Sequence, residues 1–326
     1  MRAQRTLNKS RLPEIARYVL DNRETYTFSA LTASIDGEVR FNPLEGPTTE
    51  NKDDDKQVGR LYVPMSAKFI INDGQHRRAA IEMALRENPE IGDESIAVVF
   101  FLDRGLERCQ QMFADLNRHA IRPSKSIGVL YDHRDQMAKL AKLVVLKSPL
   151  FHDVVDMERS TLSLRSRKLF TLSAIYTATS ALFPSQEPVD LQSGTELALE
   201  FWREVAKQFP EWQQVKDRKI TASEIRGGFI HSHGIALQAI GRLGRALLSQ
   251  HPKGWKRQLK KLRGIDWSRS NSSLWEGRAM MGGRVTKSEI NVTLTTNLLK
   301  NHFGIPLSPE EQRIEDAFLR GEHATK

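Results

Sequence analysis

Asp73-Gly74-Gln75-His76-Arg77-Arg78 places three kinds of phosphate chemistry in one short run. Two guanidiniums supply fixed positive charge and fork-shaped donors. The imidazole is the side chain whose proton moves most readily near neutral pH. The aspartate can orient a metal ion or cap an amide. The flanking residues decide how these groups point. Phe69, Ile70 and Ile71 are β-favouring, so Lys68–Ile71 is predicted as a short strand. Asp73-Gly74 signals a turn, because glycine tolerates a positive φ and aspartate bonds nearby amides. Ala79 to Leu85 is rich in strong helix formers, so Gly74–Glu87 is predicted as a helix. A strand that turns into a helix leaves free amides at the positive end of a dipole, a ready place for phosphate.

The same residues allow a plainer reading, with Asp73 as an N-cap and Arg77 and Arg78 as solvated first-turn side chains. Cations are unfavourable at that end of a helix unless an anion joins them, which weighs towards a phosphate site.

Asp73 to Arg77 spells DGQHR, and by it the chain resembles the DGQHR-domain proteins, among them the DndB family of DNA phosphorothioation (DNA sulfur modification) systems. Those systems replace a non-bridging phosphate oxygen of DNA with sulfur. The resemblance implies a DNA-binding repressor of the modification genes, not the sulfur-inserting enzyme. The motif is also similar to that of the wider ParB/sulfiredoxin superfamily. ParB proteins hold nucleotide phosphates with Gly-Glu-Arg-Arg and an alanine-rich helix, matched here by Gly74, Arg77 and Ala79-Ala80. Sulfiredoxins carry Gly-Cys-His-Arg. Gly74, His76 and Arg77 match, but Gln75 stands in place of the cysteine and cannot be a sulfur nucleophile. Sulfinic acid reduction is therefore not expected.

A second block, Met112 to Lys125, resembles the ParB stretch in which an asparagine and a basic residue precede a new helix. It would bring Asn117 and Arg118 to the phosphate site, although the residue types alone also fit a polar loop. The resemblance implies an α/β (α+β) ParB/sulfiredoxin-like domain over residues 1–123 and a basic, mainly helical domain over 124–326. Phosphate or nucleotide would be held by Gly74, Gln75, Arg77, Arg78, Asn117 and Arg118. A second reading is a ParB-like NTPase that takes ATP or CTP with Mg²⁺. There Asp73 orients Mg²⁺ or water and His76 carries a proton. The implied partners are double-stranded DNA, the phosphorothioation enzymes and a further copy of the chain.

Composition bounds these readings. The chain has 326 residues, 39% hydrophobic and 27% charged, which suits a globular protein of one large or two smaller domains. Its longest apolar run, Ile96 to Leu102, is far short of the ~20 residues that span a bilayer. Met1 to Arg5 lacks an apolar signal core, and a cytoplasmic location is expected. A single cysteine, Cys109, excludes an intrachain disulfide and a cysteine-based zinc cluster, so no metal site is expected. Cys109 reads as a packing residue.

The charge is uneven. Between Arg242 and Lys287 lie twelve cations and two acids, a surplus of ten in a chain whose net charge is +9. Clustered charge of this kind is the footprint of a polyanion partner. The DNA-binding candidates are Arg242, Arg245, Lys253, Lys256, Arg257, Lys260, Lys261, Arg263, Arg284 and Lys287. Smaller clusters hold Arg159, Arg165, Arg167 and Lys168, and Arg2, Arg5, Lys9 and Arg11. Trp255, Trp267 and Trp275 interleave with the basic run and read first as core. Gly282 to Lys287, a glycine turn with the cations Arg284 and Lys287 beside a helix start, reads either as a clamp for a DNA phosphate or as a helix cap. His231-Ser232-His233 reads as a cap or packing element, because no third metal ligand accompanies it.

Further elements complete the expectation. Leu12–Leu20 is predicted as a helix, and Tyr26–Ile35 with Glu38–Phe41 as a hairpin turning at Asp36-Gly37. Glu45 to Gly59 reads as a polar loop, and Arg60–Pro64 as a strand. Ser95–Leu102 is expected to be a central strand buried on both faces. Helices are expected over Leu106–Asn117, Ser124–Leu146 (capped by Ser124), Leu169–Leu182, Gly194–Gln208, Phe229–Leu248, Gly254–Leu262, Lys287–His302 and Ser308–Leu319.

Overall fold

The computed structural model describes residues 7–43, 58–102, 111, 115, 123–184 and 188–321. Arg2, Arg5, the three adjacent aspartates Asp53 to Asp55, Cys109, Asn117 and Arg118 lie outside these residues. So does the helix expected over Leu106–Asn117, except that Gln111 and Asp115 are helical. The chain divides into two compact units, Met1–Ile121 and Arg122–Lys326. The architecture is mixed α/β with small sheets, and mostly helical in its later part.

In the first unit, helix α1 (Leu12–Asp21) precedes strand β1 (Leu31–Asp36). Strands β2 (Arg40–Pro43), β3 (Gly59–Tyr62) and β4 (Lys68–Asp73) follow. Helix α2 (Gln75–Glu87) and strand β5 (Val98–Leu102) complete it. The sheet order is β4-β1-β5, with β1 antiparallel to β4 and parallel to β5. Two expectations fail here. Asp36-Gly37 does not close a hairpin. Both edges of β1 are taken by β4 and β5, and β2 pairs instead with β3. Nor is the apolar run of β5 central. Leu31 to Ile35 of β1 are all buried, whereas Val99, Phe100, Phe101 and Leu102 remain substantially exposed on an edge strand. The middle position goes to a strand with small residues (Thr32, Ala33, Ser34) on whose buried side Asn72 donates to Ser34 Oγ at 2.6 Å.

Alanines fix the packing of α2. Ala80 and Ala84 are fully buried and meet Ala16 and Val19 of α1 and Ile91. Small side chains let the two helices approach closely, which accounts for the alanine-rich helix without any ligand.

The second unit has one large core. Its longer helices are α3 (Lys125–Tyr131), α4 (Gln136–Lys147), α5 (Leu172–Ser180), α6 (Leu191–Ala206), α7 (Pro210–Lys216) and α8 (Ala222–Gly228). Helices α9 (Gly234–Gln250), α10 (Glu289–Phe303) and α11 (Pro309–Leu319) follow. Ser124 caps α3 as expected, but the single helix predicted to Leu146 is two. Asp132 accepts the amides of Arg134 and Asp135, and Asp135 caps α4 through the Met137 amide at 2.8 Å. Side chains that bond the backbone locally stop helices in this way.

Helix α9 packs against α5 and α10. Two glycines permit it. A Cβ on Gly241 would overlap the Ala178 carbonyl of α5, and one on Gly244 the Phe201 ring of α6, which also packs here. The helix starts at Gly234 rather than Phe229, because Ile230 donates to the Trp267 carbonyl at 2.8 Å and Phe229 bridges to Ser268. Trp202, Trp212, Trp255, Trp267 and Trp275 are all buried, so the tryptophans of the basic run are core residues. Trp267 and Trp275 satisfy their indole N–H groups on the carbonyls of Leu262 and Asp266.

Candidate phosphate and nucleic-acid sites

The DGQHR residues fold as strand, turn and helix. Strand β4 ends at Asp73, and Gly74 takes φ +93° as the N-cap of α2. An added Cβ there would overlap Leu31 Cδ2 in a backbone region that L residues avoid. No side chain caps α2, so its first-turn amides have no local acceptor of that kind.

The charged groups around the turn are engaged with one another. Arg77 pairs with Asp73 Oδ2 at 2.7 Å through Nη2. Its Nη1 donates to the Ser29 carbonyl at 2.9 Å and to Ser29 Oγ. Arg78 pairs with Glu82 at 3.1 Å. Gln75 reaches back to the Ile71 carbonyl at 3.3 Å, and His76 Nε2 accepts the Asn8 amide at 2.9 Å. The aspartate is thus the anion that faces the two arginines' end of the helix. Any incoming phosphate must exchange with Asp73 for Arg77. Ser29 and Asn8, which sequence reasoning missed, lie 48 and 68 positions from their partners, too far for a local pattern to show. A cavity of about 320 Å³ in this unit is lined by Arg23, Tyr26, Ser29, Leu31, Glu94 and others, and by none of the DGQHR residues.

The basic segment of the second unit sorts into bonded and open cations. Arg242 pairs with Glu289, and Lys256 with Glu200. Lys261 donates to the Phe303 carbonyl at 3.2 Å and Arg263 to the Lys207 carbonyl at 2.6 Å. Arg278, half-buried, pairs with the buried Glu315, with one bond at 3.0 Å. Arg245, Lys253, Arg257, Lys260 and Arg284 are exposed, and among the described residues none has an ion-pair partner. Lys287 stands apart, beside Lys125, and both lie at a separate cavity.

The glycine turn is already filled by an internal anion. Gly282 (φ +56°) and Gly283 (φ +73°) join two short strands, Met280–Met281 and Arg284–Val285. Both of their amides donate to the Glu276 carboxylate, that of Gly283 at 3.2 Å. Neither histidine caps a helix with its side chain, and both bond neighbouring groups. His231 Nδ1 accepts the Trp212 indole N–H at 3.0 Å, and His233 is the N-cap of α9. Burial, helped by the charge of His233, pushes the His231 pKa down to about 3.

A family model described as DndB, DNA-sulfur modification-associated, matches residues 1–306. No curated protein and no solved structure matches the chain.

Proposed function

The chain belongs to the DndB family, whose description ties it to DNA sulfur modification, and from that premise we propose that it is a DNA-binding regulator of the phosphorothioation system. The supporting observation is the set Arg245, Lys253, Arg257, Lys260 and Arg284, exposed and free of carboxylate partners among the described residues. Cations left open in this way are available to backbone phosphates, the contacts that dominate affinity for duplex DNA. Its partners in this reading are double-stranded DNA and the modification enzymes.

Competition binding tests it. Labelled duplex from upstream of the modification genes is displaced by the same duplex unlabelled, or by a duplex of unrelated sequence. A regulator displaces at least about a thousandfold less readily with the unrelated competitor. Equal competition would leave a non-specific DNA binder and remove the regulatory role.

The DGQHR turn supports a second reading, a phosphate or nucleotide site of the ParB/sulfiredoxin kind. Its support is the left-handed Gly74 before a helix N-terminus that no side chain caps. Gly74, Gln75, Arg77 and Arg78 would meet the phosphates together with Asn117 and Arg118. In an NTPase, ATP or CTP with Mg²⁺ would draw Asp73 and Arg77 apart, leaving Asp73 for the metal and His76 for the proton.

A further inference from the structure

A cavity of about 510 Å³ in the second unit takes in Lys287 but none of the DGQHR residues and none of the five open cations. Four cations line it, Lys125, Arg226, Arg269 and Lys287, and no acidic residue does. Lys125 is the first residue of α3, Arg226 lies on α8, and Lys287 precedes α10.

None of the four is neutralised by an ion pair among the described residues. Arg226 donates Nη2 to the carbonyls of Ser163 at 2.9 Å and Ser166 at 3.1 Å. Arg269 donates to the carbonyls of Arg226 and Gly227, each at 3.4 Å, and of Gly283 at 3.2 Å. Carbonyl dipoles hold these guanidiniums in place and leave their charge uncompensated. Lys125 and Lys287 have no hydrogen-bonding partner among the described residues. Glu289, the carboxylate that acts on Lys287, is itself paired with Arg242.

A longer-range field adds to this charge. Gly234 and His233, at the start of the 17-residue helix α9, also line the cavity. That helix has no side-chain cap, and a Cβ on Gly234 would sit 3.9 Å from Lys287 Nζ. The positive end of its dipole and a lysine ammonium therefore share one space. Lys287 is exposed as a residue, yet lost hydration around its ammonium, then the charges of Lys125 and Arg242, hold its pKa below the usual lysine value against the opposing pull of Glu289. Hydroxyls of Ser160, Thr161, Thr171, Ser173 and Thr177 complete a lining suited to oxyanions.

We propose that this cavity is a second anion site, built for a polyphosphate: inorganic pyrophosphate, or the phosphate chain of a nucleotide. Charge decides the class. A DNA phosphodiester brings one negative charge per phosphate and would leave most of the four cations unbalanced. A polyphosphate concentrates several charges in a volume typical of small-molecule sites, roughly 300–1,000 Å³. The site brings the loop of the second basic cluster, Arg159 to Lys168, next to the end of the main basic run, although the two are more than a hundred positions apart in sequence. It does not depend on the DGQHR turn or on the DNA-binding reading.

The test uses the full chain in an Arg77→Ala background, which silences the DGQHR turn. Calorimetric titration with pyrophosphate should show one binding event. Adding Lys125→Ala and Lys287→Ala should weaken it at least about tenfold, since each removes a charge-assisted bond. Lys219→Ala, an exposed lysine elsewhere in the unit, should change nothing. Both cavity lysines are exposed, and a thermal melt without ligand establishes that the variants fold. Lys125→Gln with Lys287→Gln keeps most of each stem if the alanines do not. ATP displacing pyrophosphate assigns the anion to a nucleotide, and failure to displace it assigns the anion to free pyrophosphate. Absence of pyrophosphate binding, equal binding by the lysine variants, or a short duplex that displaces pyrophosphate more strongly than ATP would each overturn the proposal.

Discussion

Asp73 and Arg77 hold the question of what the DGQHR turn does. Removing Arg77 as Arg77→Ala deletes the donor that an incoming phosphate would use. Nucleotide affinity should fall by about 1.5–3 kcal/mol, roughly ten- to a hundredfold, measured by calorimetry. Asp73→Ala releases Arg77, so phosphate binding should persist while Mg²⁺-dependent phosphate release disappears. If the turn is only structural, both variants lose about 1 kcal/mol of thermal stability and no binding changes. A buried histidine gives a separate residue-scale prediction. His231 is neutral in the fold, with its pKa lowered to about 3. In the unfolded chain it takes a proton below about 6.5. The unfolded state then binds more protons, so its contribution is present above about pH 6.5 and is lost as pH falls towards 3. Glu211, 4.0 Å from His231 Nε2, opposes only part of this. Denaturant melts of wild type and His231→Gln should converge at lower pH, and parallel curves would contradict the assignment. Much at this scale was legible. Strand, glycine turn and helix are local, and DGQHR is contiguous. The bonds that Ser29 and Asn8 make to the motif depend on the tertiary fold and leave no short-range signature.

Elements show where local reading fails. An apolar run, Ile96 to Leu102, suggested a strand buried on both faces, yet β5 is an edge and β1 takes the centre. Hydrophobicity reports the wish for burial, whereas strand order is set by pairing across the whole unit. The apolar pattern from Ser124 continues across the break between α3 and α4, while Asp132 and Asp135 interrupt the backbone ladder. Of the later helices α5, α6, α9, α10 and α11 are legible to within about five residues, whereas the short α7 and α8 are missed. Ser308 and Glu311 form a capping box at α11, and Ser288 caps α10. The close helix crossing at α9 yields the prediction at this scale. Gly241→Ala places a methyl against the Ala178 carbonyl of α5 and should cost about 1–3 kcal/mol in denaturant melts. Gly254→Ala, where the nearest atom is His251 Cβ at 4.0 Å, should cost far less. Equal losses would mean that the two helices do not meet there.

At the scale of the whole molecule, the surplus of ten charges between Arg242 and Lys287 overstates what a polyanion can touch. Arg278 is half-buried against the buried Glu315, so Glu315→Ala leaves a largely desolvated charge without its partner and should destabilise the fold by about 3 kcal/mol without altering DNA affinity. Arg242 and Lys256 are paired, and Lys287 faces the second cavity. Lys261 and Arg263 are tied to backbone carbonyls, so five exposed cations with no side-chain partner among the described residues remain for DNA: Arg245, Lys253, Arg257, Lys260 and Arg284. The sequence told which segment was basic but not which of its charges were already used, because their partners Glu200, Glu289 and Glu315 lie outside the segment. In the proposed function these open cations bind the DNA backbone. The most direct measurement is duplex affinity against salt, for wild type and for a variant with Arg245, Lys253, Arg257 and Lys260 changed to glutamate. Each phosphate contact contributes about −0.9 to the log–log slope, so wild type should fall steeply with salt and the variant should lose about three to four units of slope together with most of its affinity. An unchanged slope in a folded variant would contradict the account.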